Sequence, residues 1–526
     1  MPMRWLLLFW AALVLAAPAQ ALTPEDARAL AVGETASRIA TLQRLAAGVP
    51  DGQAAALIQA LADDAVKFTD SAVIVMKDGK GFDPVSRVEV PVPESAEDVI
   101  NNNQMRAELD AALALVQLQS PDAKRRLEAV KTLASEPDEA RLPLIEKAFA
   151  AEQDAGVKDA LGNLLYALQL GSPDRAKRLA AAAALGSVGT PGTKLLLNQR
   201  LQAESDAEVK GALRAALEQI DARLVWGERL GVIFTGISLG SILLLVALGL
   251  AITYGLMGVI NMAHGELMMV GAYATYVVQN IFRSYFPGAF DLYVLAAIPV
   301  SFLAAAGVGA VLERSVIRWL YGRPLETLLA TWGISLILMQ AVRNIFGAQN
   351  VPVENPSWLS GGVAVMSNLT LPWNRIAIIV FAGLVLGGVA LLIARTRLGL
   401  FVRGVTQNRR MAACMGVNTA RIDTYAFALG AGIAGLAGCA LSQVGNVGPD
   451  LGQSYIVDSF MVVVLGGVGQ LAGTVYAALG LGVLNKLLEG WQGAVLAKIM
   501  VLAFIVIFIQ KRPQGIFAMK GRSAEA

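Results

Sequence analysis

"GVINMAHGELMMVG", residues 258–271, holds the only histidine of a 526-residue chain, His264, with a carboxylate two places on at Glu266. Apolar stretches flank it on both sides, at roughly 232–256 and 266–282. A helix of about 20 apolar residues crosses a hydrocarbon core of about 30 Å. The run from Val232 to Ile260, drawn as one straight helix, would be about 43 Å long at 1.5 Å per residue, so it must tilt, break or protrude. Gly255, Gly258 and Gly265 are the places where it can break. A broken helix exposes backbone to a cavity or a pathway. Asn261, His264 and Glu266 are therefore candidate pathway residues. The competing reading puts them at the membrane interface, with Glu266 favouring a helix N-terminus through the helix dipole.

The same length signal recurs along the second half of the chain. Nine candidate spans follow: roughly 232–256, 266–282, 292–312, 325–346, 375–394, 424–443, 454–470, 472–488 and 495–510. The composition is 55% hydrophobic with a mean hydropathy of +0.56, which is a membrane protein's balance. Only nine of the 41 acidic residues lie between Leu230 and Gln510, so a boundary near Trp226 separates a charged domain from a bilayer domain. A net charge of +2 gives no field that would attract nucleic acid.

Residues 1–21 read as a signal peptide: Arg4, an apolar run from Trp5 to Ala17, then Ala19-Gln20-Ala21 as a small-x-small cleavage site. The domain 22–229 is therefore expected on the periplasmic side. Cys414 and Cys439 both lie beyond the boundary, so no disulfide braces it. Its sequence repeats: Ser120-Pro121-Asp122 returns as Ser172-Pro173-Asp174, and Asp154 to Lys158 returns as Asp206 to Lys210, both at an offset of 52. Amphipathic patterns over 122–134, 140–151 and 154–169 predict a short HEAT-like helical stack, with Pro121, Pro137 and Pro173 at helix starts. "AVIVMKDGKGF", residues 72–82, predicts a hairpin turning at Asp78-Gly79.

In the bilayer domain, 230–526, the loop 395–422 carries six arginines and no acid, whereas 347–373 has no Lys or Arg. The positive-inside rule puts the first in the cytoplasm, with Arg314, Arg318, Arg323 and the tail. Lys486 and Lys498 fit that scheme less well, and the short spans around Gly466–Leu488 could be re-entrant. "GAGIAG", Gly430 to Gly435, matches a dinucleotide fingerprint, but it sits inside an apolar span, where small residues serve close helix packing. No P-loop motif occurs. One histidine and one nearby glutamate leave too few ligands for zinc, and no cofactor or metal is expected. Asp458, in "SYIVDSFMVVV", is a fourth pathway candidate, because a charge inside a span faces the bundle interior or lies shallow.

Within the arginine loop, "NRRMAACMGVN" between Asn408 and Asn418 predicts a short helix with a small-faced knob. Here "TRLG…MAACMGVNTARI" resembles the cytoplasmic coupling loop of ABC importer permeases of the branched-chain amino acid family. "INMAHGE", "LGGVGQLAGT" at 465–474 and "RPQGIF" at 512–517 resemble that family's other motifs, over about 230–517. The knob is one residue shorter than the general importer consensus and lacks its leading glutamate. Within the family, residues 445–469 and the secreted extension resemble the urea permease branch. The resemblance implies an all-α polytopic permease in the bacterial inner membrane that lacks ATPase activity of its own. It also implies a second homologous permease subunit, two ATPase subunits and a periplasmic solute-binding protein as partners. Arg409, Arg410, Ala412, Ala413 and Gly416 are implied as ATPase-coupling residues, and urea as the cargo. Branched-chain amino acids or another small amide form the alternative, and a passive urea channel a remoter one. A polytopic enzyme is disfavoured, since His264 has no Ser and Asp partners at a recognisable spacing.

Overall fold

The structure, a computed structural model, describes residues 22–47, 52–69, 72–135, 137–258, 261–467 and 469–517. The expected signal peptide lies outside these described residues. The chain divides into two compact units, Met1–Leu224 and Val225–Ala526, close to the charge boundary near Trp226.

The first unit opens with three helices, α1 (Pro24–Ala31), α2 (Thr35–Ala47) and α3 (Gly52–Ala62). A small antiparallel sheet follows: β1 (Val66–Phe68), β2 (Val73–Lys77), β3 (Lys80–Phe82), β4 (Glu89–Val90) and β5 (Glu97–Asp98), in the order β4-β3-β2-β1-β5. Its centre is the hairpin read from the sequence, with Lys77 opposite Lys80. Asp78 and Gly79 both take positive φ, 50° and 79°, as a two-residue turn between right-twisted strands requires. The sheet, rather than a lone hairpin, buries Val66, Val73 and Ile74.

After α4 (Asn103–Gln117) come α5 (Ala123–Ser135), α6 (Leu142–Ala151), α7 (Ala155–Gln169), α8 (Arg175–Val188), α9 (Pro191–Ala203) and the start of α10 (Ala207–Met257). The starts of α5 and α8, and of α7 and α10, are 52 residues apart, the offset of the sequence repeat. The duplication extends to side chains. Arg126 donates to the Ser120 and Pro121 carbonyls and to both carboxylate oxygens of Glu152. Arg178 donates to the Ser172 and Pro173 carbonyls and pairs with Glu204 at 3.1 Å. Pro121 and Pro173 do not occupy the first helical turn. They precede Asp122 and Asp174, whose carboxylates accept from the Lys124 and Ala176 backbone N–H groups at 2.9 Å and satisfy otherwise orphaned donors.

The Arg126 hydrogen bond, with the Asp154 and Gln153 backbone N–H groups, holds the Glu152 carboxyl below its ordinary range despite burial. Glu204 is held down chiefly by the Asp206 N–H, with Ser205 N–H and Arg178 adding to it. A carboxyl depressed in the folded state stabilises fully above its unfolded pKa, and that stability is lost as the pH falls through the lower folded value. The repeat stack should therefore lose stability on acidification below about pH 4.3. Glu152→Gln and Glu204→Gln should flatten that loss, as read by thermal melts between neutral and acidic pH.

The second unit holds the rest of α10, then α11 (His264–Tyr285), α12 (Tyr293–Ser315), α13 (Pro324–Phe346), a hairpin of β6 (Gly362–Met366) and β7 (Leu369–Pro372), and α14 (Trp373–Arg395). Then come α15 (Arg397–Gln407), α16 (Arg409–Cys414), α17 (Thr419–Ser442), α18 (Leu451–Gly466), α19 (Leu471–Gln492) and α20 (Ala494–Lys511). Every one of the nine expected spans falls on a helix. Among the described residues, seven helices are long and apolar enough to cross a membrane. The other two differ for separate reasons: α18 has only 16 residues, and α11 dilutes its apolar surface with buried His264, Glu266, Thr275 and Gln279. α19 is a continuous helix of 22 residues. Lys486 and Lys498, the two ill-fitting cations, are paired with Glu489 at 2.6 Å and Asp458 at 3.8 Å.

The break in the first span falls at Gly258, in the left-handed region at φ +66°, while Gly255 and Gly265 stay helical. α17 is the centre of this unit, buried along nearly its whole length from Ile422 to Ser442. Its GAGIAG stretch is a packing surface: a Cβ at Gly430 would lie 2.6 Å from the Gly249 carbonyl oxygen of α10, and one at Gly435 2.5 Å from the Ser301 carbonyl oxygen of α12. At Gly438 a Cβ would collide with the Met268 backbone of α11. No phosphate could reach these glycines. Because the obstacles are backbone atoms, they cannot swing aside. Gly438→Ala should cost about 1–3 kcal/mol or more, seen as a lower melting temperature in detergent, whereas alanine at Gly333, which faces open space, should not.

Candidate translocation seam and coupling helix

His264 is the first residue of α11, and Glu266 lies two residues, about 200° of helical rotation, further on. The two side chains consequently face different neighbours. His264 is fully buried, with Nε2 3.3 Å from the Val246 carbonyl of α10 and its ring against the spot where a Gly249 Cβ would stand. Glu266, 1% exposed, accepts a hydrogen bond of 2.9 Å from Ser335 Oγ of α13. The opening pair is thus split between two helix interfaces.

Several buried polar groups gather near the interface between α11 and α13. Asn261 Oδ1 accepts from the Ala263 N–H at 3.0 Å, and Thr331 Oγ1 accepts from the Met262 N–H at 3.1 Å. Asn261 Nδ2, Glu266 Oε2 and Tyr273 OH are buried without a hydrogen-bond partner among the described residues. Tyr273 stands two helical turns beyond Glu266 on the same face, about 10 Å along the axis. Its ring packs on Phe346 of α13 at 4.7 Å between centroids. Past it, Arg343 and Asp450 pair at 2.5 Å. Apolar side chains, Met269 and Val342, fill the seam between. A buried polar group without a partner costs free energy, so three along one seam mark a place that a polar solute can satisfy.

Asp458 lies elsewhere: it is half-buried on α18 and faces Lys498 of α20. Sequence reasoning passed over Thr331, Ser335 and Tyr273. A signal was available, because Thr327, Thr331 and Ser335 recur every fourth residue on one stripe of an otherwise apolar helix and all three are buried.

The arginine loop holds α16, whose N-cap Asn408 accepts from the Met411 N–H at 3.0 Å. Gly416 closes the loop at φ +83°. Ala412 packs on the core of the unit, while Arg410, Ala413 and Gly416 are exposed, as are Met411 at 60% and Met415 at 77%. Arg409 turns back to pair with fully buried Asp423 of α17. The loop and the C-terminal end of α12 are on one side of the bundle, since Tyr321, just beyond α12, lies under the Arg409 guanidinium. That places Arg314, Arg318 and Arg323 beside the arginine loop, as the charge count required.

The family described as branched-chain amino acid transport system / permease component matches residues 232–509. The chain belongs to this permease family. The match covers the spanning unit and leaves residues 22–229 outside it. Among curated relatives, the high-affinity branched-chain amino acid transport system permease protein BraD of Pseudomonas aeruginosa is 29% identical over 285 residues, 53% of this chain and 93% of BraD. LivH of Salmonella typhimurium, of the same description, is 28% identical over 54% of this chain and 93% of its own length. LivM of Escherichia coli, again a permease protein of that system, is 26% identical over 54% of this chain and 69% of LivM. No solved structure matches. This permease therefore resembles transport subunits, not enzymes. Among its described residues no group of three His, Cys, Asp or Glu side chains could hold a metal.

The two faces of α11 give different expectations. Glu266→Leu and Tyr273→Phe should cut uptake severely in a folded, inserted permease, and Glu266→Gln, which keeps a partner for Ser335, should keep part of it. His264→Leu should instead lower the melting temperature and leave uptake per folded molecule near the parental rate. Uptake normalised to folded protein in membranes checks both.

Proposed function

We propose that the chain is one of two permease subunits of an ATP-driven ABC importer in the bacterial inner membrane. Its partners are a second, homologous permease, two ATPase subunits and a solute-binding protein. Residues 22–229 face the periplasm and the loop 395–422 the cytoplasm. The polar seam between α11 and α13 carries this reading: a solute passing along it meets Tyr273, then Glu266 and Ser335, then Asn261 and Thr331. The seam favours a small solute that both donates and accepts hydrogen bonds. Met269 and Val342 beside those groups suit an aliphatic side chain, and the names of the relatives support branched-chain amino acids as cargo. A second reading, urea, is supported by the periplasmic extension that the family match does not cover and by the resemblance of residues 445–469. Proteoliposomes holding the assembled transporter and its binding protein, given ATP inside, should accumulate labelled leucine. Accumulation of labelled urea and not leucine would establish the second reading, and ATP-independent flux of either would sink the importer.

α16 docks the ATPase through its outward face, where Met411, Ala413 and Met415 present adaptable and small side chains. Bulk at Gly416 would confound docking with backbone strain, because φ +83° suits glycine. Ala413→Trp is the cleaner change: exposed and helical, it should leave insertion intact and abolish stimulated ATP hydrolysis. Protease added to spheroplasts should remove residues 22–229 and spare 395–422, and the opposite pattern would reverse the topology.

A further inference from the structure

Between the docking helix and the break at Gly258 lies a compact set of charged and polar groups that transport has not yet used. Glu313, at the end of α12, is fully buried. Its carboxylate accepts from Thr424 Oγ1 of α17 at 2.6 Å, from the Arg318 guanidinium at 3.4 Å, and from Tyr321 OH at 3.0 Å. The same Tyr321 hydroxyl is 3.0 Å from Met257 Sδ, the last residue of α10 before the break. A phenol has one proton to give, and the carboxylate is the stronger acceptor, so the sulfur is held by contact. On its other side, the Tyr321 ring carries the Arg409 guanidinium 5.3 Å from its centroid, and Arg409 pairs with Asp423. One aromatic side chain thus touches both the first residue of the docking helix and the end of the first span.

We propose that Arg409, Asp423 and Tyr321 form a latch that converts movement of the docking helix into movement of the α10–α11 break, and so of Asn261 at the foot of the seam. The latch rests on the reading of α16 as the ATPase-docking element. These are positioning residues, because none touches the solute. Arg409 is half-exposed and anchored to a wholly buried carboxylate, which suits a group that must follow a moving partner without letting go of the bundle. An Arg–carboxylate pair with a stacked ring has direction as well as strength, so displacement of α16 pulls the ring sideways rather than merely loosening it. Met257, held against the same hydroxyl, is followed at once by Gly258, where glycine takes a positive φ and the helix ends.

The test needs no knowledge of the cargo. In the assembled transporter, with Cys414 and Cys439 replaced by serine and alanine, Met262→Cys reports the break through its rate of maleimide labelling. ATP with vanadate should change that rate several-fold. Tyr321→Phe, Arg409→Gln and Asp423→Asn should each abolish the change while ATP hydrolysis continues. Arg409→Lys, which keeps the charge over the ring and against Asp423, should restore most of it. The Arg409→Gln/Asp423→Asn double variant should be no worse than either single one. A labelling change that ignores these substitutions, additive losses in the double variant, or a break that does not respond to ATP in the parent would each overturn the latch. Failure of docking itself would appear separately, as loss of stimulated hydrolysis in Ala413→Trp.

Discussion

The spanning unit depends on backbone-to-backbone contact between α17 and the three helices around it. In lipid, helices gain little from burying apolar side chains against one another, and close van der Waals packing must supply the attraction. Gly430, Gly435 and Gly438 let α17 approach α10, α12 and α11 closely enough that a Cβ at any of them would strike a carbonyl oxygen. With α17 so enclosed, the helices around it are fixed in azimuth. That azimuth decides which side chains of α11 look inward to α10 and which look across to α13. The separation of His264 from Glu266 follows from this packing.

The same packing explains why few polar groups remain without partners and where they are. α17 carries Asp423 and Thr424 at its start, and both are used by Arg409 and Glu313. At the opposite end of the bundle, Tyr293 donates to the Glu354 carbonyl, and Asn374 to that of Gln443, pinning the loop 347–373. Between these two ends the α11–α13 seam keeps three orphaned groups. On the proposed function, these groups are the ones free to meet a solute, because a solute is bound only by groups that are not already bound to the protein.

The helical repeats of the first unit solve a different problem by different means. They stack amphipathic helices and close each repeat with a partly buried arginine–glutamate pair that also ties down the loop ahead of it, Arg126–Glu152 and Arg178–Glu204. The charges cost desolvation, but each carboxylate accepts two backbone N–H groups and so fixes the loop that starts the next helix. The offset of 52 therefore governs helix starts and side-chain partners alike.

The boundary between the units, the helical repeat, the Asp78-Gly79 hairpin, the helical nature of all nine apolar segments and the common side of the arginine-rich loops follow from the sequence alone. Hydropathy, period and turn chemistry are local properties, and they survive without knowledge of what packs against them. The small residues of GAGIAG could be read as packing, but not their partners. The tertiary structure alone decided that the break falls at Gly258, that His264 and Glu266 serve different interfaces, and that Arg409 turns inward while Met411 and Met415 face out. It also decided that Glu266 meets Ser335, 69 residues away, and that Arg409 meets Tyr321, 88 away. Periodicity assigns residues to faces of a helix, but only the mutual rotation of packed helices determines what each face meets.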